Sequence, residues 1–377
     1  MDKIKNKKIY NHYVPQFLLK QFSDNQKSIS MYLKDKQKYV SNASIGRVAG
    51  CEYLYGENCK FEDWFCCVEG NASKIIKNIC KNKKIPNNKN VKEFLYAFLL
   101  ISETRTKEMA DNYTRCWNDI IKNYIKYGIM TGHPNFIGLS VQDIDKIKVS
   151  INIPNLDLVK SSIKISKNIK DLKMILMINK TNKPFVISDC PVVKYNLYLK
   201  DCININSYGW YQKGILAFLP ISNDCVICLI DTQIYKIKSL KNGRIFISDE
   251  QQIYELNKLF ALQAENYIFF NQSIKSEYIE SLLKETPKIN KFDFSKLMIT
   301  NFSVKSIKNK INISFLKMKV RPLKGQYHNH SDYYRKKTIP HLYCSKEKYK
   351  QDKKINYNRI YKTIETSVKS KEEQNNG

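Results

Sequence analysis

Five residues of this chain have the types and neighbours that chemistry on a phosphate requires: His12, Glu62, Glu69, Arg105 and Asp189. Arg105 stands four residues after Ile101 and four before Met109, on the apolar stripe of a predicted helix. Burying a guanidinium without a partner costs several kcal/mol, so Arg105 needs a carboxylate or a solvated cleft. Glu62 and Glu69, seven residues apart, lie on one edge of a second predicted helix and are the candidate partners. One reading is an ion pair that fixes helix register. The other is an electropositive site: Arg105 stabilises phosphoryl charge, His12 acts as base, and Glu69, Asp189 and Glu62 hold a divalent ion, Mg²⁺ or Mn²⁺. His12 precedes a short helix whose N-terminus would keep the imidazole neutral, and a hydrogen-bonding histidine at the turn is the plainer role. Asp189 leaves a strand end, where catalytic carboxylates and self-satisfied turn residues both occur.

The elements that must position these residues are readable from periodicity. Pro15 suits the first turn of a short helix, and Ser28 to Leu33 with Lys38 to Ser41 form a hairpin around Lys34 to Gln37. Phe61, Phe65, Val68, Ala72, Ile75, Ile76 and Ile79 predict an amphipathic helix, and Phe94 through Tyr124 predict one long helix from about 91 to 127, antiparallel to the first. Leu158 to Met177 reads as helix followed by strand. Short β-type runs at 174–178, 184–187, 215–219 and 226–230 predict a sheet. Ser248 to Gln251 matches a capping box opening a helix through Ala264, and Tyr267 to Phe270 reads as a further strand. Phe185-Val-Ile-Ser-Asp189 and Phe246-Ile-Ser-Asp249 are similar phrases, either two like strand ends or a coincidence. The expected fold is α+β: an N-terminal hairpin and antiparallel helices, a central mixed sheet with flanking helices, and a basic C-terminal extension. The expected divisions are 1–178, 179–300 of the same domain, and 301–377.

Charge restricts the partners. The 377 residues carry 64 Lys+Arg against 35 Asp+Glu, a net +29, which favours a polyanion. Only seven of the basic residues are Arg, a ratio that an A+T-rich genome explains, although such a bias does not explain the shortage of acids. Residues 301–377 hold 19 basic against six acidic residues, so this last fifth carries +13 of the excess. There Lys319, Arg321, Tyr333, Tyr334, Arg335, Lys336, Lys337, Tyr357 and Arg359 interleave charge with aromatic rings. That combination suits phosphates and exposed bases of RNA or DNA, while a solvated tail is the alternative.

Other chemistries lose ground. No P-loop, dinucleotide fingerprint, nucleophile elbow or H-E-x-x-H is present. Cys225 and Cys228 form a C-x-x-C inside an apolar strand, on opposite faces and with no second pair, and His328, His330, His341 and Cys344 match no standard finger. Eleven cysteines, an odd number, read as reduced thiols, and no membrane span or export signal is apparent, so a cytoplasmic location is expected.

His12-Tyr-Val-Pro-Gln-Phe17 with Phe22, Glu62, Glu69, Arg105-Thr106, Ser188-Asp189-x-Pro191, Pro220 and Asn257 resemble a bacterial family known only as domain of unknown function 4238. The resemblance spans about 10–272; Asn11 replaces the first histidine of the family's usual opening pair, and the basic extension lies beyond it. It implies a shared domain and a polar residue set, with no activity attached. The function expected from the residues is a nucleic-acid-interacting cytosolic protein acting as a metal-dependent nuclease in a host-defence or toxin setting. The alternative is a non-enzymatic RNA- or DNA-binding module with a structural buried Arg–Glu pair, and an enzyme on a small phosphorylated ligand is a third reading.

Overall fold

A computed structural model of the chain describes residues 10–55, 60–148, 150–199, 208–237, 239–284 and 311–319. In chain order the elements are β1 (Tyr10–His12), α1 (Gln16–Lys20), β2 (Ser28–Leu33), β3 (Lys38–Ser44), β4 (Gly50–Glu52), α2 (Lys60–Asn82), α3 (Lys89–Thr104), α4 (Lys107–Met130), α5 (Val141–Lys146) and α6 (Pro154–Ser166). There follow β5 (Lys173–Asn179), β6 (Ile187–Ser188), β7 (Val193–Tyr195), β8 (Leu216–Ser222), β9 (Cys225–Ile230), β10 (Tyr235–Ile237), β11 (Arg244–Ile247), α7 (Glu250–Leu262), β12 (Tyr267–Phe270), α8 (Ser276–Leu283) and β13 (Leu316–Met318). The fold is α+β, as the segment pattern predicts.

The strands divide between two main sheets. One has the order β11-β5-β9-β8-β7, mixed because β11 runs parallel to β5 while the remaining pairs are antiparallel. The other, β3-β2-β12-β6, is antiparallel throughout, and β1-β4 and β10-β13 are two-stranded. Strands β8 and β9 are buried at every position, so their continuous apolar runs mark a covered central sheet rather than an alternating one. The similar phrases around Ile187 and Ile247 end strands of different sheets and are not a repeat.

Three expectations change. The predicted helix over 91–127 is two helices broken at Arg105 and Thr106: Arg105 is the C-cap of α3, and Thr106, in an extended conformation, caps α4 by accepting from the Met109 amide at 3.3 Å. A threonine side chain that bonds its own downstream backbone competes with helix continuation, and hydrophobic spacing alone does not register that competition. Second, the apolar face from Tyr113 to Tyr124 is not sealed: α4 fully buries only Ala110 and Gly128, Tyr113 and Cys116 are half-buried, and Ile120 and Tyr124 are exposed. Third, 311–319 are not part of a separate extension. Ile311, Ile313, Phe315 and Leu316 are buried, and β13 pairs with β10. The cap of α7 also sits one residue later than the capping box suggests, with Asp249 accepting from Gln251 at 2.9 Å.

Candidate functional site: a buried arginine junction

The break between α3 and α4 leaves Arg105 outside any helical stripe, 1% exposed, and surrounded by acceptors from three other segments. Nη1 donates to Glu69 Oε1 of α2 at 2.6 Å, Nε to the Tyr55 hydroxyl at 3.0 Å, and Nη2 to the backbone carbonyl of His12 at 2.5 Å. The guanidinium carbon lies 4.2 Å from the Phe65 ring centre and 5.7 Å from that of Tyr55. Burial disfavours the charge, but Tyr55 and Glu69 outweigh it and hold Arg105 firmly protonated. Tyr55 shares its hydroxyl hydrogen between the carbonyls of His12 at 3.3 Å and Arg105 at 3.4 Å. Its pKa is pushed up to about 12, chiefly by burial.

Three of the predicted residues therefore converge, Arg105 and Glu69 as the ion pair of the first reading and His12 through its backbone carbonyl rather than its ring. His12 contributes its carbonyl oxygen to Arg105, while its ring meets the Gln16 amide, whose nitrogen is 3.2 Å from Nδ1. Its pKa is lowered by burial first, against a rise from Glu69, so the expected direction holds with a different cause from a helix N-terminus. Glu62 sits one step outward, accepting from Asn11 Nδ2 at 3.3 Å, and Asn11 also accepts from the Tyr55 amide at 3.5 Å. Asn11, in place of a histidine, thus serves as a donor and acceptor linking β1 to both neighbours.

Asp189 belongs to a different arrangement. Its oxygens accept the backbone amides of Glu265 at 2.9 Å, Asn266 at 2.7 Å and Tyr267 at 3.1 Å, closing the loop between α7 and β12. Burial raises its pKa to about 6, with those three amides opposing the rise. The two groups of residues meet through the neighbouring Cys190, whose thiol donates to Glu108 Oε2 at 2.8 Å in the first turn of α4.

The expected metal set of Glu62, Glu69 and Asp189 does not fit these partners. Glu69 faces Arg105, Glu62 faces Asn11, and the Asp189 oxygens are occupied by amides. Among the described residues no group of three His, Cys, Asp or Glu side chains is placed to hold an ion.

Sequence reasoning missed that the whole stretch from Glu103 to Glu108 is a junction. Glu103 accepts from Lys194 Nζ at 2.6 Å and from the Trp210 indole at 2.6 Å. Asn155 of α6 donates to the carbonyls of Thr104 at 3.2 Å and Thr106 at 3.3 Å. The available signal was the density of polar residues in Glu103-Thr-Arg-Thr-Lys-Glu108 within an otherwise apolar helix pattern. Tyr55 had no such signal, since its role depends on a loop.

Of the predicted nucleic-acid contacts, Lys319 is exposed and donates from Nζ to the Thr232 carbonyl at 2.8 Å. Arg321, Tyr333, Tyr334, Arg335, Lys336, Lys337, Tyr357 and Arg359 lie outside the described residues, as do the candidate finger ligands His328, His330, His341 and Cys344. On α4, Trp117, Tyr124 and Tyr127 are 39%, 63% and 68% exposed, interleaved with Arg115, Lys122 and Lys126. No helix among the described residues is long and apolar enough to cross a membrane.

Comparison with known families matches residues 10–273 to the one described as a protein of unknown function, DUF4238. No curated protein and no solved structure matches the chain.

Proposed function

The chain belongs to the DUF4238 family, which brings no activity with it, and we propose from its own residues that it is a cytoplasmic nucleic-acid-binding module in which the Arg105–Glu69 pair is structural. The observation that supports the binder reading over the nuclease one is the enclosure of Arg105: each of its three nitrogens donates to a protein acceptor, and 1% of its surface is exposed. A guanidinium so enclosed, with three of its five N–H donors engaged, is poorly placed to reach a phosphate.

Nucleic acid as the ligand rests on the net +29 and on aromatic residues set among basic ones, on the exposed face of α4 and in the sequence after 319. Lysines neutralise phosphates and release counterions, while exposed rings stack on unpaired bases without reading sequence. Single-stranded RNA or DNA fits both features.

The test is a salt titration of binding to labelled single-stranded RNA and DNA, run with Mg²⁺, Mn²⁺ or EDTA. Binding that weakens log-linearly with salt, with the probe intact under all three conditions, supports the module. Metal-dependent cleavage that Arg105→Ala abolishes while binding survives would restore the nuclease reading.

A further inference from the structure

The similar phrases that begin at Phe185 and Phe246 differ in where they put the aromatic ring. Phe185 is fully buried, with its ring centre 6.2 Å from that of Phe260, whereas Phe246 is 43% exposed on β11, the outermost strand of the mixed sheet. Ile245 and Ile247 take the inward positions of β11, so Arg244 and Phe246 share its outward face. Alternation favours polar residues on such a face, and here a ring stands in water instead. Two cations lie against it: Lys180 Nζ is 5.6 Å and the Arg244 guanidinium carbon 5.8 Å from the ring centre.

The loop from β5 to β6 fixes the charges beside the ring. Asn179 Oδ1 accepts from the Thr181 amide and hydroxyl, both at 2.8 Å, and Asn179 Nδ2 donates to the Lys183 carbonyl at 2.6 Å. The Lys180 amide donates to the Ile247 carbonyl at 2.8 Å, which ties this loop to β11. Lys180 and Lys183 are both exposed. Lys183 Nζ lies 5.7 Å from the ring centre of Tyr278 on α8, and the Tyr278 hydroxyl accepts from Asn257 Nδ2 at 3.0 Å. Cations and rings therefore alternate through Arg244, Phe246, Lys180, Lys183 and Tyr278.

None of the three cations has a carboxylate partner among the described residues, and Arg244 Nε has no acceptor there. The acidic residues that follow β11 are committed to α7: Asp249 accepts from the Gln251 amide as its cap, and Glu250 opens its first turn. We propose that this row is a binding site for single-stranded nucleic acid, with a base stacked on Phe246 and the adjoining phosphates on Arg244, Lys180 and Lys183. The site rests on the binding reading above and gives the strand a surface other than α4. A nucleotide matches both halves of the row, since its base offers a π-face to the ring and its phosphate a charge to the cations. A carboxylate or sulfate would satisfy the cations alone.

The experiment irradiates the full chain with a single-stranded RNA carrying 4-thiouridine and maps the cross-linked peptides. The expected adduct lies on the peptide of Phe246. Phe246→Leu, which keeps an apolar side chain and removes the ring, is expected to weaken RNA binding about fivefold or more. Heparin carries the charge without bases, and its binding by the same variant is expected to stay within about twofold. Replacing Lys180 and Lys183 with glutamine is expected to flatten the salt dependence of RNA binding by about 0.7 per lost phosphate contact. RNA binding that Phe246→Leu leaves unchanged, with adducts confined to other segments, overturns this site and leaves the binding reading standing. Equal loss of RNA and heparin binding overturns the stacking role, and absence of RNA binding by the unsubstituted chain overturns both site and reading. The adduct map needs only the unsubstituted protein, so a variant that fails to fold does not decide the matter.

Discussion

Nη1 of Arg105 meets Oε1 of Glu69 at 2.6 Å, with the arginine side chain 2% exposed and the glutamate 25%. One partner is thus sealed in the protein and the other retains water. Such a pair is costly to break, because removing the half-solvated carboxylate leaves a buried cation with only neutral acceptors. Glu69→Ala is expected to lower unfolding free energy by about 3 kcal/mol, and Arg105→Ala by a similar amount. Chemical denaturation of both singles and the double variant measures the coupling. Nucleic-acid affinity in the folded variants is expected to stay within about twofold, a change of a few tenths of a kcal/mol.

Asp189 makes stability depend on pH. Burial raises its folded-state pKa to about 6, above the roughly 3.9 of an unfolded chain. Between those values the folded protein holds a proton that the unfolded chain has released, so stability declines as pH rises. The contribution is fully present below about pH 4 and lost on passing about pH 6, some 3 kcal/mol in all. Subtracting the unfolding free energy of Asp189→Asn from that of the unsubstituted protein isolates this group. The difference is expected to fall between pH 4 and 7, and a flat difference contradicts the assignment.

How much of this was legible can be judged from Arg105 itself. Its type, its apolar neighbours and the carboxylates of the preceding helix suffice to predict a buried Arg–Glu pair, because an unpaired guanidinium is so costly. The hairpin of β2 and β3 follows equally from alternation. The helix break at Thr106 was not legible from periodicity, since the flanking residues keep one helical phase while a side-chain hydroxyl ends the helix. Nor was the use of the His12 carbonyl instead of its ring, because any residue supplies that oxygen. The division of strands between two sheets was equally hidden, as pairing partners such as β2 and β12 are more than two hundred residues apart.

Gly50 faces His12 across the β1–β4 pair. A Cβ there would stand 2.5 Å from Tyr10 Cε1 and 2.8 Å from the Asn11 carbonyl oxygen, so β1 must shift. Gly50→Ala is expected to cost roughly 1–3 kcal/mol. Part of that cost should be transmitted through the His12 carbonyl to Arg105, so the same change is expected to cost less in an Arg105→Met background. Full additivity in the double-mutant cycle would contradict a link between β1 and the junction.

The exposed rings of α4 give the binding proposal a local test. Replacing Tyr124 and Tyr127 with alanine removes side chains that are 63% and 68% exposed and is expected to spare the fold. Each stacked base contributes about 1–3 kcal/mol, so loss of one or more stacks predicts at least a fivefold weaker Kd for single-stranded RNA. Replacing Arg335, Lys336 and Lys337 with glutamine should instead flatten the salt dependence, by about 0.7 per lost phosphate contact. Thermal unfolding of each variant checks that the fold is retained.

The central claim, that this is a binder whose buried arginine is structural, meets its most direct test in one measurement: incubation of the full chain with labelled single-stranded RNA and DNA in Mg²⁺ and Mn²⁺, following binding and fragment length together. Retention of intact probe by the unsubstituted protein, with affinity that falls as salt rises, is the predicted result. Metal-dependent fragments lost in Arg105→Ala, with binding preserved, would contradict it.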